Sequence, residues 1–238
     1  MGHQSRETPP PSLSYGDARD ALIDATARER ATKGPRGVVL ADICAELDLS
    51  PALVNYHFGN RNVLLAEAVA TAHRRLVDDM NEITLRPHAT AEEQFRARFD
   101  FRFDWTRDHP GIDSMLNYTH VLDPSGAVLS ADYQLRIGET TADDMSGLAT
   151  CVAALHYERP MTEIVDGAHP LWRHEFADVT AYVALSALGA ATFLTGNHPG
   201  STPLAAQFPA LIASLRDDFT TRLMDAVRSQ LAPLKESE

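Results

Sequence analysis

The sequence predicts an all-α protein: a small N-terminal helical head joined to a larger helical domain. Three observations carry that expectation. Apolar residues recur at steps of three and four through almost every segment, which is the period of a helix. Breaker and capping pairs such as Gly34-Pro35, Ser50-Pro51 and Thr202-Pro203 divide the chain into helix-length pieces. No segment sustains the two-residue alternation and turn signals of a sheet.

Residues 1 to about 15 are polar, contain three consecutive prolines, and read as a disordered arm. A first helix is expected from about Asp17 to Lys33, ended by Gly34-Pro35. A short second helix covers about Leu40 to Leu47. Ser50 then suits an N-cap and Pro51 the first helical position of a third helix ending near Phe58. Gly59 can take the left-handed conformation that closes it. Asn60 can cap a fourth helix running to about Ile83. Arg86-Pro87-His88 marks the boundary between a head of residues 16–85 and a domain of residues 86–238. Beyond it, helices are expected over about Ala91 to Arg107, Ile112 to Val121, Ala127 to Tyr157, Arg173 to Thr195, and from Thr202-Pro203 to about Leu231. Gly138 and Gly147 are expected to bend the long helix from Ala127 to Tyr157.

Composition narrows the function classes. Hydrophobic residues make up 44% of the 238 positions and charged residues 23%, ordinary values for a globular chain. No apolar run reaches the roughly 18 residues of a membrane span, and the first residues lack a secretory signal. The two cysteines, Cys44 and Cys151, form neither a disulfide framework nor a thiolate metal site, which favours a reducing cytoplasm. A net charge of −12 opposes a protein that coats nucleic acid nonspecifically, because phosphate binding is driven by Lys and Arg. A claim on DNA therefore needs a motif.

The motif lies between Leu40 and Phe58. Two short helices joined by a tight turn and packed on a longer one are the parts of a helix-turn-helix. Ile43, Leu47, Leu49, Val54 and Phe58 can bury together, which turns Ala52, Leu53, Asn55 and Tyr56 outward. Such a face suits a major groove, where Asn can read adenine and apolar groups can meet a thymine methyl. The starts of the second and fourth helices, with Tyr56, His57 and Arg61, can hold phosphates.

The stretch from Ile43 to Leu65 (ICAELDLSPALVNYHFGNRNVLL) resembles the DNA-binding signature of the TetR family of transcriptional regulators. Ser50, Tyr56, His57 and Phe58 match the family's pattern, and Arg61 stands where the family usually has Lys. The resemblance implies a DNA site made of Val39, Ser50, Pro51, Ala52, Leu53, Asn55, Tyr56, His57, Asn60 and Arg61. It further implies a homodimer on palindromic operator DNA, repression, and release by a small-molecule effector. Three positions depart from the pattern. Val39 replaces a capping Thr and cannot accept the capping bond. Leu53 replaces a recognition-helix Thr. Glu29 and Arg30 fill late positions of the first helix that are usually apolar, which suggests that this helix packs differently.

For dimerisation, Ala184, Ala187, Leu188, Ala191 and Leu194 line one face of the penultimate helix. Leu211, Leu215, Phe219, Leu223 and Val227 follow steps of four on the last. Two such helices from each subunit would form a four-helix bundle, unless the stripes face their own core. For an effector pocket the candidates are Phe99, Phe103, Met115, Tyr118, His120, Tyr133, His156, Trp172 and Tyr182, with Phe95 and Tyr157 beside them. Their mix suggests an apolar molecule with one or two polar groups. No enzyme motif is present, no cofactor is implied, and the ten histidines, His169 and His174 included, do not form a metal cluster. The competing reading is a helical ligand-binding or adaptor protein whose DNA head has degenerated.

Overall fold

The computed structural model describes residues 15–87, 90–109, 112, 131–159, 178–186 and 208–235. Among these the secondary structure is helical, with no strand. The helices are α1 (Tyr15–Gly37), α2 (Leu40–Glu46), α3 (Ala52–Phe58), α4 (Arg61–Leu85), α5 (Ala91–Asp108), α6 (Ala131–Tyr157), α7 (178–186) and α8 (Pro209–Lys235).

Among the described residues the expected helix ends are met closely, except that α1 and α8 run further; the ends expected near Val121, Ala127, Arg173, Thr195 and Pro203 lie outside the described residues. Helix α1 runs through Gly34-Pro35 to Gly37. A proline in the last turn removes only one backbone bond, so the helix closes shortly after it and not before. Helix α8 likewise passes Pro233 to Lys235. The starts follow their caps. Asn60 Oδ1 accepts the Val63 N–H at 3.1 Å at the head of α4. Thr90 and Glu93 form a reciprocal capping box at α5, with bonds of 3.1 and 3.2 Å. Helix α6 is continuous through Gly138 and Gly147. Gly147 is there because the neighbouring helices come close. A Cβ at that position would lie 2.5 Å from Asn81 Oδ1 and 3.0 Å from the Arg98 guanidinium. Glycine at this site lets α6 lie against a buried polar junction, whatever it costs in helix propensity.

Three buried clusters divide the core. The first joins Leu22, Ile23, Val38, Ile43, Val54, Phe58 and Leu64 in the head. The third gathers Phe95, Phe99 and Phe103 with Val152, Val183, Leu223 and Val227 from α6, α7 and α8. The second lies between them, with Ala31 of α1, Val69, Leu76, Val77 and Met80 of α4, Trp105 of α5 and Tyr133 of α6. Helix α4 therefore serves the head at one end and the larger core at the other.

Burial also settles how Glu29 and Arg30 fit. Glu29 is half-buried and pairs with the exposed Lys33 at 2.6 Å, one turn along α1. Arg30 is 2% exposed, and burial lowers its guanidinium to a pKa of about 10, with Tyr133 of α6 opposing that shift. Where an apolar side chain was expected, α1 drives a cation into its junction with α6.

The five-residue stripe of α8 splits. Leu211 and Leu215 are exposed, Phe219 is half-buried, and Leu223 and Val227 are buried in their own chain. At about 100° per residue, a step of four advances the face by roughly 40° each time. The stripe therefore winds from outside to inside along its length. The penultimate-helix positions Ala187, Leu188, Ala191 and Leu194 lie outside the described residues, as does the helix expected over most of Ile112 to Val121.

Candidate nucleic-acid interface and ligand cavity

The turn between α2 and α3 is built by its backbone. Asp48 has a φ of 54°, the left-handed region that closes a helix. The Leu49 N–H donates to the Cys44 carbonyl at 2.8 Å and the Asp48 N–H to that of Ala45 at 3.3 Å. This paired closure usually ends on glycine, and Asp is one of the few other residues that tolerate it. Ser50 starts the next helix, its Oγ accepting the Ala52 N–H at 3.3 Å and its carbonyl the Leu53 N–H at 2.9 Å. At the far end Gly59 has a φ of 72° and donates its N–H to the Asn55 carbonyl at 2.9 Å.

These constraints fix the faces of α3. Val54 and Phe58 point into the head core, with Leu47 and Leu49 partly buried against it. Pro51, Ala52 and Asn55 are exposed, Leu53 and His57 are half-buried, and Tyr56 is 69% exposed. The Tyr56 and His57 rings meet edge-on at 5.4 Å. Behind the helix, Arg19 sits over the Phe58 ring at 5.3 Å. Arg61 is exposed, yet one of its Nη atoms donates to the Val38 carbonyl at 3.1 Å, which fastens the segment entering α2. Val39 at the start of α2 is exposed and its side chain makes no capping bond. Asn60 is engaged as the α4 cap. Cys44 packs in this core as a free buried residue, and burial pushes its thiol above the ordinary range, so the sulfur is an apolar filler.

A cavity of about 280 Å³ lies in the larger core, between α4, α5, α6 and α7. Its apolar walls include Met80, Phe95, Phe99, Ile137, Leu148 and Val183. Its polar lining consists of His73, Arg98, Arg102, Thr141 and Asp144. Arg98 is a buried fastener. It donates to Asn81 Oδ1 at 3.0 Å and to the Asp144 carbonyl at 3.0 Å, and it forms an ion pair with the Asp144 carboxylate. Arg102 lies over the Trp105 ring at 5.7 Å. His73 is 6% exposed, its Nδ1 has no hydrogen-bond partner, and burial first, then Arg102, pull its pKa down to about 4.

Of the candidate pocket residues, Phe99 lines this cavity, stacked on Phe219 at 5.7 Å. Phe103 is buried behind it in the third cluster. Tyr133 lies in the second cluster beside Arg30, and burial raises its phenol to about 12. His156 is buried near the end of α6, edge-on to Tyr157 at 4.7 Å. Tyr182 is exposed. Ala184, read as a dimer residue, forms part of the cavity wall. Met115, Tyr118, His120 and Trp172 lie outside the described residues. His73, Arg98 and Arg102 were not among the candidates. The sequence does carry a signal for two of them: His73 interrupts the apolar row Val69, Leu76, Val77 and Met80, and Arg98 falls between Phe95 and Phe99.

Ion pairs tie the cavity walls to the head. Glu67 of α4 accepts from Arg19 of α1 at 3.1 Å and from Arg136 of α6 at 2.9 Å. Arg75 of α4 pairs with Asp24 of α1 at 2.8 Å, and Arg74 pairs with Asp143 of α6. No group of three or more metal-ligating side chains occurs among the described residues, and no described helix is long and apolar enough to cross a membrane.

Comparison with known proteins agrees with the head. The family model described as bacterial regulatory proteins, tetR family, matches residues 22–68. The chain is 32% identical over 88 residues to the HTH-type transcriptional regulator BetI of Rhizobium meliloti (strain 1021), covering 36% of this chain and 43% of that protein. It is 33% identical over 89 residues to the BetI of Burkholderia thailandensis, covering 37% and 44%. The chain thus spans less than half the length of these relatives.

Proposed function

We propose that the chain is a ligand-responsive repressor of the TetR family that binds operator DNA as a homodimer, a reading supported by the family match over residues 22–68. The observation that carries this reading is the outward face of α3. Ala52, Asn55 and Tyr56 are held clear of the core by Val54 and Phe58, inside the matched residues. Asn55 and Tyr56 are the base and phosphate readers, with Ser50, Pro51, Leu53, His57 and Arg61 around them.

Residues 16–85 act as the DNA head and residues 86–238 as the effector and dimerisation domain. Exposed apolar side chains support the dimer: Tyr182 and Leu185 on α7, with Phe208, Leu211 and Leu215 at α8. A two-fold pair would hold its α3 helices about 34–36 Å apart, one turn of DNA. The effector occupies the cavity between α4, α5 and α6. Because α4 also packs in the head and is ion-paired to α1, an effector that favours one position of α4 shifts the spacing of the heads. The chain works by binding and carries out no catalysis.

A gel shift against the DNA flanking its own gene tests this. Specific, salt-sensitive binding is expected. Asn55→Ala and Tyr56→Ala should each weaken it by about 5- to 150-fold with the dimer intact, the value of a base or phosphate contact at about 1–3 kcal/mol. Absent binding, or binding unaffected by both changes, would favour the adaptor reading, with a degenerate head.

A further inference from the structure

The charged and polar groups that line the cavity are, with one exception, engaged within their own chain. Arg98 pairs with Asp144 and donates to Asn81 Oδ1 at 3.0 Å, a unit that joins α4, α5 and α6. Arg102 lies over the Trp105 ring at 5.7 Å. The Thr141 hydroxyl donates to the Ile137 carbonyl at 2.8 Å. The exception is His73. It is 6% exposed, and its Nδ1 has no hydrogen-bond partner among the described residues, although buried polar atoms are almost always paired. Its ring is uncharged at neutral pH, because burial and then Arg102 pull its pKa down to about 4. The rest of the wall is apolar, with Met80, Phe95, Phe99 and Leu148 among its side chains.

We propose that the cavity takes an uncharged, largely apolar molecule bearing a hydroxyl, which hydrogen-bonds the His73 imidazole while its body lies against Phe95 and Phe99. This rests on the reading of the cavity as the effector site. A hydroxyl both donates and accepts, so it pairs with His73 whichever ring nitrogen carries the proton, whereas a carbonyl or an ammonium serves one tautomer only. An ion of either sign would give up its hydration to a wall whose charged groups are already engaged. His73 also lies on α4 between Glu67 and Arg75, which pair with Arg19 and Asp24 of α1. A ligand bond at His73 therefore acts on the helix that meets the head. The cavity volume of about 280 Å³ suits a ligand of modest size, such as a ring with a short chain.

The test titrates the full chain with phenethyl alcohol, phenethyl fluoride, phenylacetate and phenethylammonium, followed by protein-observed NMR at constant ionic strength. The fluorine has nearly the size of the hydroxyl but cannot donate a hydrogen bond. The alcohol should bind roughly tenfold or more tightly than either ion. In His73→Leu the preference for alcohol over fluoride should fall roughly fivefold, the loss expected for one neutral hydrogen bond. A thermal melt reports whether that variant is folded. If it is not, the ranking of the four probes on the parent protein still decides. Equal or tighter binding of either ion, an unchanged preference in folded His73→Leu, or no binding of any probe at about 10 mM, on the order of the weakest measurable affinities, would overturn the proposal. A gel shift with and without phenethyl alcohol separates the two claims: binding that leaves operator affinity unchanged keeps the ligand class and removes the effector reading.

Discussion

The head and the cavity domain are both helical, but they are specified in different ways. In the head each feature is set within a few residues: the Asp48 closure, the Ser50 start, the Gly59 turn and the Asn60 cap. The cavity depends on side chains brought together from α4, α5, α6 and α7, and its polar members are held by partners up to 46 residues away in sequence. Local rules build an exposed helix face, while distant packing builds an internal space.

The most severe way to break this comparison is to empty each core in turn. Phe58→Ala and Phe103→Ala both remove a ring that is at most 6% exposed, and each should cost about 3–5 kcal/mol. If head and domain are separately specified, Phe58→Ala should abolish operator binding and hydrogen-exchange protection over residues 40–65 while the main thermal transition persists. Phe103→Ala should lower the main transition. A single cooperative transition, lowered equally by both changes, would show that the second cluster welds the two into one unit.

The same contrast explains what the sequence allowed one to read. The helix-turn-helix was legible because its faces follow from apolar residues four apart, all between Ile43 and Phe58, and its ends from caps. The Asp48 closure went unread because the left-handed position carries no glycine. The lining of this cavity was only partly legible, because aromatic residues were read as pocket markers and of the described ones Phe99 lines it. Phe103, Tyr133 and His156 fill core positions, and the polar lining includes His73, Arg98, Arg102, Thr141 and Asp144. Whether a buried ring fills space or borders it depends on the helix opposite, which periodicity does not encode. Arg30 shows the same limit: its buried surroundings include Tyr133, more than a hundred residues later.

A smaller effect sharpens the comparison through pH. His73 in the cavity has a pKa pulled down from 6.5 to about 4, first by burial and then by Arg102. The unfolded chain takes up that proton near pH 6.5, whereas the folded chain resists until about pH 4. Between those values the unfolded state binds more protons, so stability falls as the pH falls, by about 3 kcal/mol across the window. Urea midpoints at pH 7 and 4.5, on the order of the two ends of that window, should differ more for the parent protein than for His73→Leu. Parallel losses in the two proteins would mean that acid sensitivity arises elsewhere.

The smallest effect lies at the one weak point of the head. Val39 occupies the N-cap of α2 with extended backbone, φ −110° and ψ 108°, and is 48% exposed, but its side chain has no oxygen to offer the first turn. Threonine has the same branched shape, so Val39→Thr keeps the backbone preference and adds a hydroxyl that can accept an N–H from Ala41 or Asp42. The gain should be about 0.5–1 kcal/mol, the lower part of the range for such caps because the site is exposed. If position 39 belongs to the proposed DNA interface, operator affinity should rise as well, by more than the stability gain alone explains. The two readouts separate the roles. A higher melting temperature with unchanged operator affinity makes position 39 a structural cap, whereas a rise in both makes it part of the DNA interface, and no change in either would show that the α2 start is already satisfied by water.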